Sequence, residues 1–312
     1  MNFDTDHVCT IYEGNYHLGV AGLINSLISN QYKGHVWVGY KTELPPWISP
    51  ASLKKTPSGI DYYSINENSC VFFIKVNTHY HFTNYKPHFL LDVLKLIEGS
   101  SYKTIHYFDC DIVVRRHWEF YERWSKFGVM ACQEILGAYF PIDHPLRMMW
   151  KEHAANWGYP VNRELNQYFN AGYAGFHYQF EQSIILWKDL MEAMKNEGVD
   201  ITRFTNRNRQ YEFFTDQDML NLMLMLTKDP ISTIGPEGMS FTNGGCVMAH
   251  AVGRKPWKIN YILHTLAGRK IRMADIEYWN YASGVIKPYS NLYLNYKLLE
   301  IRIGKLIAKF IK

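Results

Sequence analysis

Two carboxylates one residue apart close one apolar run and open another in the stretch Tyr107-Phe108-Asp109-Cys110-Asp111-Ile112-Val113-Val114. Residues 104–108 read as a buried strand of a parallel sheet, and in open α/β sheets ligands collect at the carboxyl ends of strands. Alternation along an extended chain would point Asp109 and Asp111 to one side, where they repel unless a hard divalent cation neutralises them. Such a cation would also hold a diphosphate. Alone the pair is a weak signal, because a loop acid beside a helix-capping acid has the same spelling.

Three more groups carry polar chemistry. Asn170 stands between Tyr168-Phe169 and Ala171-Gly172, and small residues within a strand suggest that a ligand or another backbone comes close. Asp216-Gln217-Asp218 directly precede the apolar run 219–226; a helix cap explains one of the acids but not two acids and an amide. His250 ends a short apolar run and is followed by Gly253-Arg254-Lys255-Pro256-Trp257, where Pro256 and Trp257 are expected to begin a helix. Taken singly, such a histidine is ordinarily a core or surface residue and such a lysine is solvated.

The elements that must position these groups follow from periodicity. Residues 8–12, 20–29 and 35–38 read as strand, helix and strand, so the chain opens as a β-α-β unit. The first connection, Glu13-Gly14-Asn15-Tyr16-His17-Leu18-Gly19, is neither a G-x-G-x-x-G turn nor a P-loop, which disfavours dinucleotide-binding and P-loop folds. Tyr16 could stack on a base that Glu13 hydrogen-bonds, or the two are a turn acid and a tyrosine covering the first helix. Residues 44–59 form a proline-rich connection and 71–76 a strand. Residues 85–98 form a helix stopped by Gly99, with Lys86, ordinarily a solvated lysine, near its start. A strand over 127–132, an irregular segment over 138–165, a strand around 168–176 and an amphipathic helix over 182–195 complete the series.

With 312 residues, 47% of them hydrophobic and 20% charged, the chain can bury one large α/β core. A formal charge of +4 is too small and dispersed to argue for nucleic acid, which is set aside as a partner. The five cysteines are widely spaced without a C-x-x-C pair, so neither a disulfide framework nor a zinc site is expected and a reducing, cytoplasmic compartment fits. No signal-peptide pattern and no membrane-spanning apolar stretch is read.

In order and spacing, Asp109-x-Asp111, Phe169-Asn170-Ala171-Gly172, Asp216-Gln217-Asp218 and His250-x-x-Gly253-x-Lys255-Pro256-Trp257 resemble the pattern of glycosyltransferase family 8. The resemblance implies an α/β GT-A fold, a single nucleotide-diphospho-sugar transferase domain over residues 1–270 with a mostly parallel central sheet, followed by a helical tail over 271–312. It implies a divalent cation, manganese or magnesium, on Asp109, Asp111 and His250; imidazole beside carboxylates suits manganese better than calcium. It makes Tyr16 the face on which uracil stacks and sets Glu13, where many members carry Asp, near the uracil N–H. Lys86 matches a basic residue near sugar and diphosphate, Gly253 and Lys255 the diphosphate loop, and Asn170, Asp216 and Gln217 the lining of the transferred sugar. The implied activity is retaining transfer of a hexose, glucose or galactose, from a UDP-sugar to a glycan acceptor such as lipopolysaccharide or another surface polysaccharide. Gln217 would face the anomeric carbon opposite UDP; an amide is a poor nucleophile, which favours stabilising an oxocarbenium-like state over a covalent intermediate. A non-catalytic nucleotide-sugar or glycan-binding protein on the same fold is the alternative.

The tail repeats Leu298, Leu299, Ile301, Leu306 and Phe310 against Arg302, Lys305, Lys309 and Lys312. A basic amphipathic helix of this kind either lies on an anionic surface, here the inner face of the cytoplasmic membrane, or packs on its own domain with a solvated basic face. The pattern leaves both open.

Overall fold

The computed structural model describes residues 5–97, 101–135, 139–204, 215–244 and 247–310. In chain order the first elements are β1 (Thr5–Tyr12), α1 (His17–Ser29), β2 (Gly34–Tyr40), β3 (Lys54–Lys55), β4 (Asp61–Asn66), β5 (Ser69–Lys75) and α2 (Lys86–Leu96). There follow β6 (Tyr102–Phe108), β7 (Ile112–Val114), α3 (Trp118–Trp124), β8 (Val129–Gln133), α4 (Pro145–Asn156), β9 (Phe169–His177) and α5 (Glu181–Asn196). The chain closes with α6 (Thr215–Leu226), β10 (Ile231–Ile234), β11 (Met248–His250), α7 (Tyr261–Leu266), α8 (Met273–Tyr281) and α9 (Asn291–Ile307). The fold is α/β with a mixed central sheet and C-terminal helices.

The chain divides into two compact units. One comprises Met1–Ile11, Lys75–Phe108 and Glu119–Pro236. Its strands run in the order β10-β8-β9-β6-β1, with β10–β8 and β6–β1 parallel and β9 antiparallel to both of its neighbours. Helix α5 buries Ile184, Trp187, Leu190, Met191 and Met194, one stripe at helical spacing, and packs on α2 and α6.

Beneath β6 lies a buried polar chain. Thr104 gives its hydroxyl proton to Asp6 Oδ1 at 2.6 Å, so His106 Nε2, 2.8 Å from the Thr104 hydroxyl oxygen, must be the donor there, while His106 Nδ1 lies 3.1 Å from the Tyr173 hydroxyl. Burial, with a smaller push from His7, lowers the His106 pKa from 6.5 to about 3, which keeps the imidazole neutral at pH 7. A pKa depressed on folding means that the unfolded chain binds the proton more tightly. Stability is then complete above the ordinary histidine range and drains away as pH falls from there toward the folded value. A loss of ~2 kcal/mol between neutrality and about pH 5 is expected from this group. Urea unfolding across that range checks it, and His106→Gln should flatten the slope.

The second unit comprises Tyr12–Ile74, Asp109–Trp118 and Glu237–Lys312. It holds β2-β5-β4-β3, with the last two pairings antiparallel, and the separate antiparallel pair β7–β11. Helices α1 and α8 pack on β7, around a core that includes Val113, Ala249, Trp257, Tyr261, Tyr278 and Trp279. Asn25 of α1 fixes the chain beyond α8: its amide donates to the carbonyls of Tyr281 and Ile286, each at 2.9 Å, and accepts from Ile286 N at 2.8 Å.

Several local expectations change. Residues 138–165 are not irregular throughout, since Pro145 at the first helical turn and His144 as N-cap start α4. The proline-rich connection is followed by β4, which pairs with β5 as a hairpin. Residues 215–218 do not precede the helix; they are its first turn. Pro256 and Trp257 begin a three-residue 3-10 turn rather than a longer helix. The expected stop at Gly99 and Cys246 lie outside the described residues, as does the side chain of Thr215; the helix itself ends at Leu96.

Candidate active site

The acidic pair converges by a route other than strand alternation. β6 ends at Phe108, and Asp109-Cys110-Asp111 form a turn in which Ile112 N donates to Asp109 O at 3.0 Å. β7 then pairs with β11 so that His250 lies opposite Ile112, and Ala251 N donates to Asp111 O at 3.1 Å. His250 Nε2 thereby stands 3.4 Å from Asp111 Oδ1 and 3.8 Å from Asp109 Oδ2. One donor atom from each of the three residues lies within 4.8 Å of the others.

The turn can sit where it does because α1 offers no side chain against it. A Cβ on Gly19 would stand 2.2 Å from the Cys110 carbonyl oxygen and 2.8 Å from the Trp257 ring. Gly19→Ala is expected to cost ~1–3 kcal/mol through this overlap and to weaken any cation held by the turn. Gly22→Ala, whose Cβ would be 3.1 Å from the Tyr278 ring, serves as the milder control in a melting experiment.

Lys255 donates to Asp111 Oδ2 and, at 3.2 Å, to the Ala251 carbonyl. Burial alone would raise the Asp111 pKa, but His250 and Lys255 outweigh it and hold the carboxyl well below its usual range. Burial likewise pulls Lys255 down and Asp111 more than restores it, so its pKa is raised. Two carboxylates, an imidazole and one ammonium thus meet at one point, with Asp111 and His250 buried and Asp109 partly open. Oxygen and imidazole nitrogen donors fit a borderline divalent cation. A hydrogen-bond partner for the buried His250 Nδ1 is missing among the described residues, which leaves the imidazole tautomer unpinned on that side.

The loop from β11 to the 3-10 turn carries Gly253 at φ +77°, a left-handed conformation that favours glycine although a Cβ there would meet open space. Tyr16, in the 3-10 turn before α1, sets its ring edge-on to Trp257 at 5.6 Å, with Lys255 at 5.7 Å from its centre. Glu13 is exposed, 3.5 Å from Lys41.

The other unit gathers the remaining sequence candidates. Lys86, the first residue of α2, is buried rather than solvated, with Nζ 2.7 Å from Asp216 Oδ2 and 2.8 Å from the Ala171 carbonyl. Asn221 of α6 clamps the start of β9 by accepting from Phe169 N and donating to Phe169 O, each at 2.8 Å. The β8–β9 register shifts beside Asn170, and there Gln217 Oε1 accepts from Ala171 N at 3.2 Å and Asn170 Oδ1 from Gly172 N at 2.8 Å. Tyr168 donates to Asp218 Oδ1 at 2.6 Å, and Asp216 and Asp218 lie in the first turn of α6, at the positive end of its dipole.

One member of this cluster escapes the sequence. Glu134, just beyond β8 and buried, accepts from the Asn170 amide and from Ile135 N, and Gln217 Nε2 lies 3.5 Å from the same carboxylate. A carboxylate that only accepts forces both NH2 groups toward itself and so turns both amide carbonyls toward Ala171 and Gly172. Glu134→Gln leaves one acceptor oxygen for two sets of donors, so its NH2 meets either the amides of Asn170 and Gln217 or the Ile135 N–H, and the cluster loses a hydrogen bond either way. In a turnover assay a ~10–100-fold fall with folding kept is expected; kcat measured beside a melting curve separates the two. The only sequence signal was an acid closing a strand, which is too common to single out.

No protein family profile and no curated protein sequence matches the chain. Solved structures do. The chain superposes on the bifunctional glycosyltransferase WbbM with a TM-score of 0.54 at 16% identity, over 95% of this chain and 52% of that one. The glycosyltransferase GlyE of Streptococcus pneumoniae TIGR4 gives 0.53 at 13% identity, over 98% and 64%. The galactosyltransferase LgtC, solved with donor and acceptor sugar analogues, gives 0.50 at 16% identity, over 93% and 99%. The fold is that of GT-A glycosyltransferases. The chain spans about half of WbbM and under two thirds of GlyE, but nearly the whole of LgtC. Within this GT-A fold the described residues offer one group of three metal-ligating side chains, Asp109, Asp111 and His250.

Proposed function

We propose that the protein is a metal-dependent, retaining glycosyltransferase of the family 8 type, which moves a hexose from a UDP-sugar to a carbohydrate acceptor. The observation that carries this reading is the convergence of Asp109, Asp111 and His250, with Lys255 beside them, on a fold shared with glycosyltransferases. Manganese or magnesium bound there would supply Lewis acidity toward a diphosphate. Lys255 would add positive charge where the leaving UDP gathers negative charge, and the left-handed turn at Gly253 would bring backbone N–H groups near the phosphates. Tyr16 would carry the uracil face, with Glu13 as its polar neighbour.

Asn170, Asp216 and Gln217, with Lys86, are assigned to the transferred sugar. Gln217 suits an electrostatic role: one lone pair of its carbonyl oxygen is taken by Ala171 N–H, which fixes the group, and a carbonyl has a second lone pair to offer a developing positive charge. The cytoplasmic expectation stays within the proposal; Cys9, Cys70, Cys110 and Cys132 are free thiols, the state a reducing compartment preserves.

Thermal unfolding with UDP, ADP and GDP, each with and without manganese, tests the reading. UDP at a hundred times its dissociation constant should add ~2.7 kcal/mol, and only with the metal present. Indifference to every nucleotide would overturn it. Stabilisation by UDP without consumption of any UDP-sugar, over a panel of glycan acceptors, would turn it into a binding protein.

A further inference from the structure

Helix α9 has two apolar faces, and only one of them is used by the fold. Leu294, Lys297, Glu300, Ile301 and Gly304 are buried against the rest of the C-terminal unit. The packing is close: a Cβ on Gly304 would stand 2.8 Å from Ile271 Cδ1 and 3.0 Å from Thr265 Oγ1. Glu300, the sole acid of the helix, belongs to this inner face, where Lys297 donates to it at 2.9 Å. On the other side Leu292, Tyr296, Leu299 and Leu306 recur at spacings of three, four or seven, a sector about 80° wide at 100° per residue, and Phe310 follows in the turn beyond the helix. All five are exposed, Leu292 at 82% and Phe310 at 85%.

Arg302 and Lys305 are exposed to one side of this stripe and Lys309 is exposed just beyond the helix, and no acidic residue interrupts them. We propose that the outward face of α9 docks on an anionic lipid surface. The charge pattern selects this occupant. A second copy of the chain would bring the same row of cations against the first, whereas anionic headgroups supply the missing negative charge while the acyl boundary takes the apolar side chains. Docking of this kind lays the helix in the interface plane, in keeping with the finding that no described helix is long and apolar enough to cross a membrane. Of the two readings the sequence left open, α9 packs on its own unit with one face, and the proposal concerns the other.

Flotation of the full chain with vesicles of phosphatidylglycerol and phosphatidylcholine, against phosphatidylcholine alone, tests the surface without any nucleotide. Its outcome is therefore independent of the sugar-transfer reading. The wild type should float with the anionic vesicles and be released by high salt. Two variants touch only exposed side chains: Leu299→Glu with Phe310→Glu, and Arg302→Gln with Lys305→Gln and Lys309→Gln. Each should lose tenfold or more of the binding at an unchanged melting temperature. Absence of wild-type binding, or binding that both variants keep, would overturn the proposal. So would sedimentation showing a wild-type dimer that the Glu variant dissolves, because the stripe would then be a self-interface.

Discussion

Asp111→Asn should abolish the manganese-dependent stabilisation by UDP and lower sugar transfer by ~10³-fold, the equivalent of about 4 kcal/mol of transition-state stabilisation. Asparagine keeps the shape of the side chain and removes its charge, so the loss reads electrostatics rather than packing. The position differs from its neighbour in a way that makes the experiment specific. Asp111 is buried and holds Lys255, whereas Asp109 is partly exposed and is the more distant of the two from His250 Nε2, at 3.8 Å against 3.4 Å. Asp109→Asn should therefore lose the metal response while the Lys255 pair survives. Asp111→Asn should lose the response and, without any ligand, also melt earlier, because it strands an ammonium that burial already disfavours. Equal melting of the two ligand-free variants would show that the Lys255 pair contributes little to the fold.

The contrast between these aspartates marks what a sequence can convey. Singly weak, Asp109, Asp111, His250 and Lys255 were nominated by the resemblance of their combined pattern to glycosyltransferase family 8, and the structure brings all four together. The way they meet was not legible. Alternation suggested two carboxylates on one strand, but the pair sits in a turn whose place depends on the absence of a side chain at Gly19, ninety residues earlier in the numbering. Glu134 was invisible for a related reason, since its meaning comes from amides at 170 and 217 that no local pattern connects to it. Helix α4 was missed because its apolar face is thin and one of its buried members is Arg147, which donates to the carbonyls of Phe140 and Gln167. In α9 the helical period was plain, but periodicity counts apolar faces and cannot say which of two is turned inward.

Lys86→Met is expected to cost ~3–5 kcal/mol, because it removes one partner of a buried ion pair and leaves the other. The Lys86 side chain is 2% exposed and that of Asp216 8%, so water cannot take over the lost contact. The ammonium also donates to the Ala171 carbonyl and lies 5.2 Å from the centre of the Tyr107 ring. Its loss therefore loosens α2, the first turn of α6 and the start of β9 together. The positive end of the α6 dipole offsets part of the stranded charge, typically less than ~1 kcal/mol. Urea unfolding of Lys86→Met, Asp216→Asn and the double variant closes the cycle, and the double variant should recover much of the stability, since two neutral groups carry no unpaired buried charge. Recovery of stability without recovery of transfer would separate the two uses of the pair: the fold needs the charges balanced, while a sugar site would need them present, fixed and ready before the donor arrives.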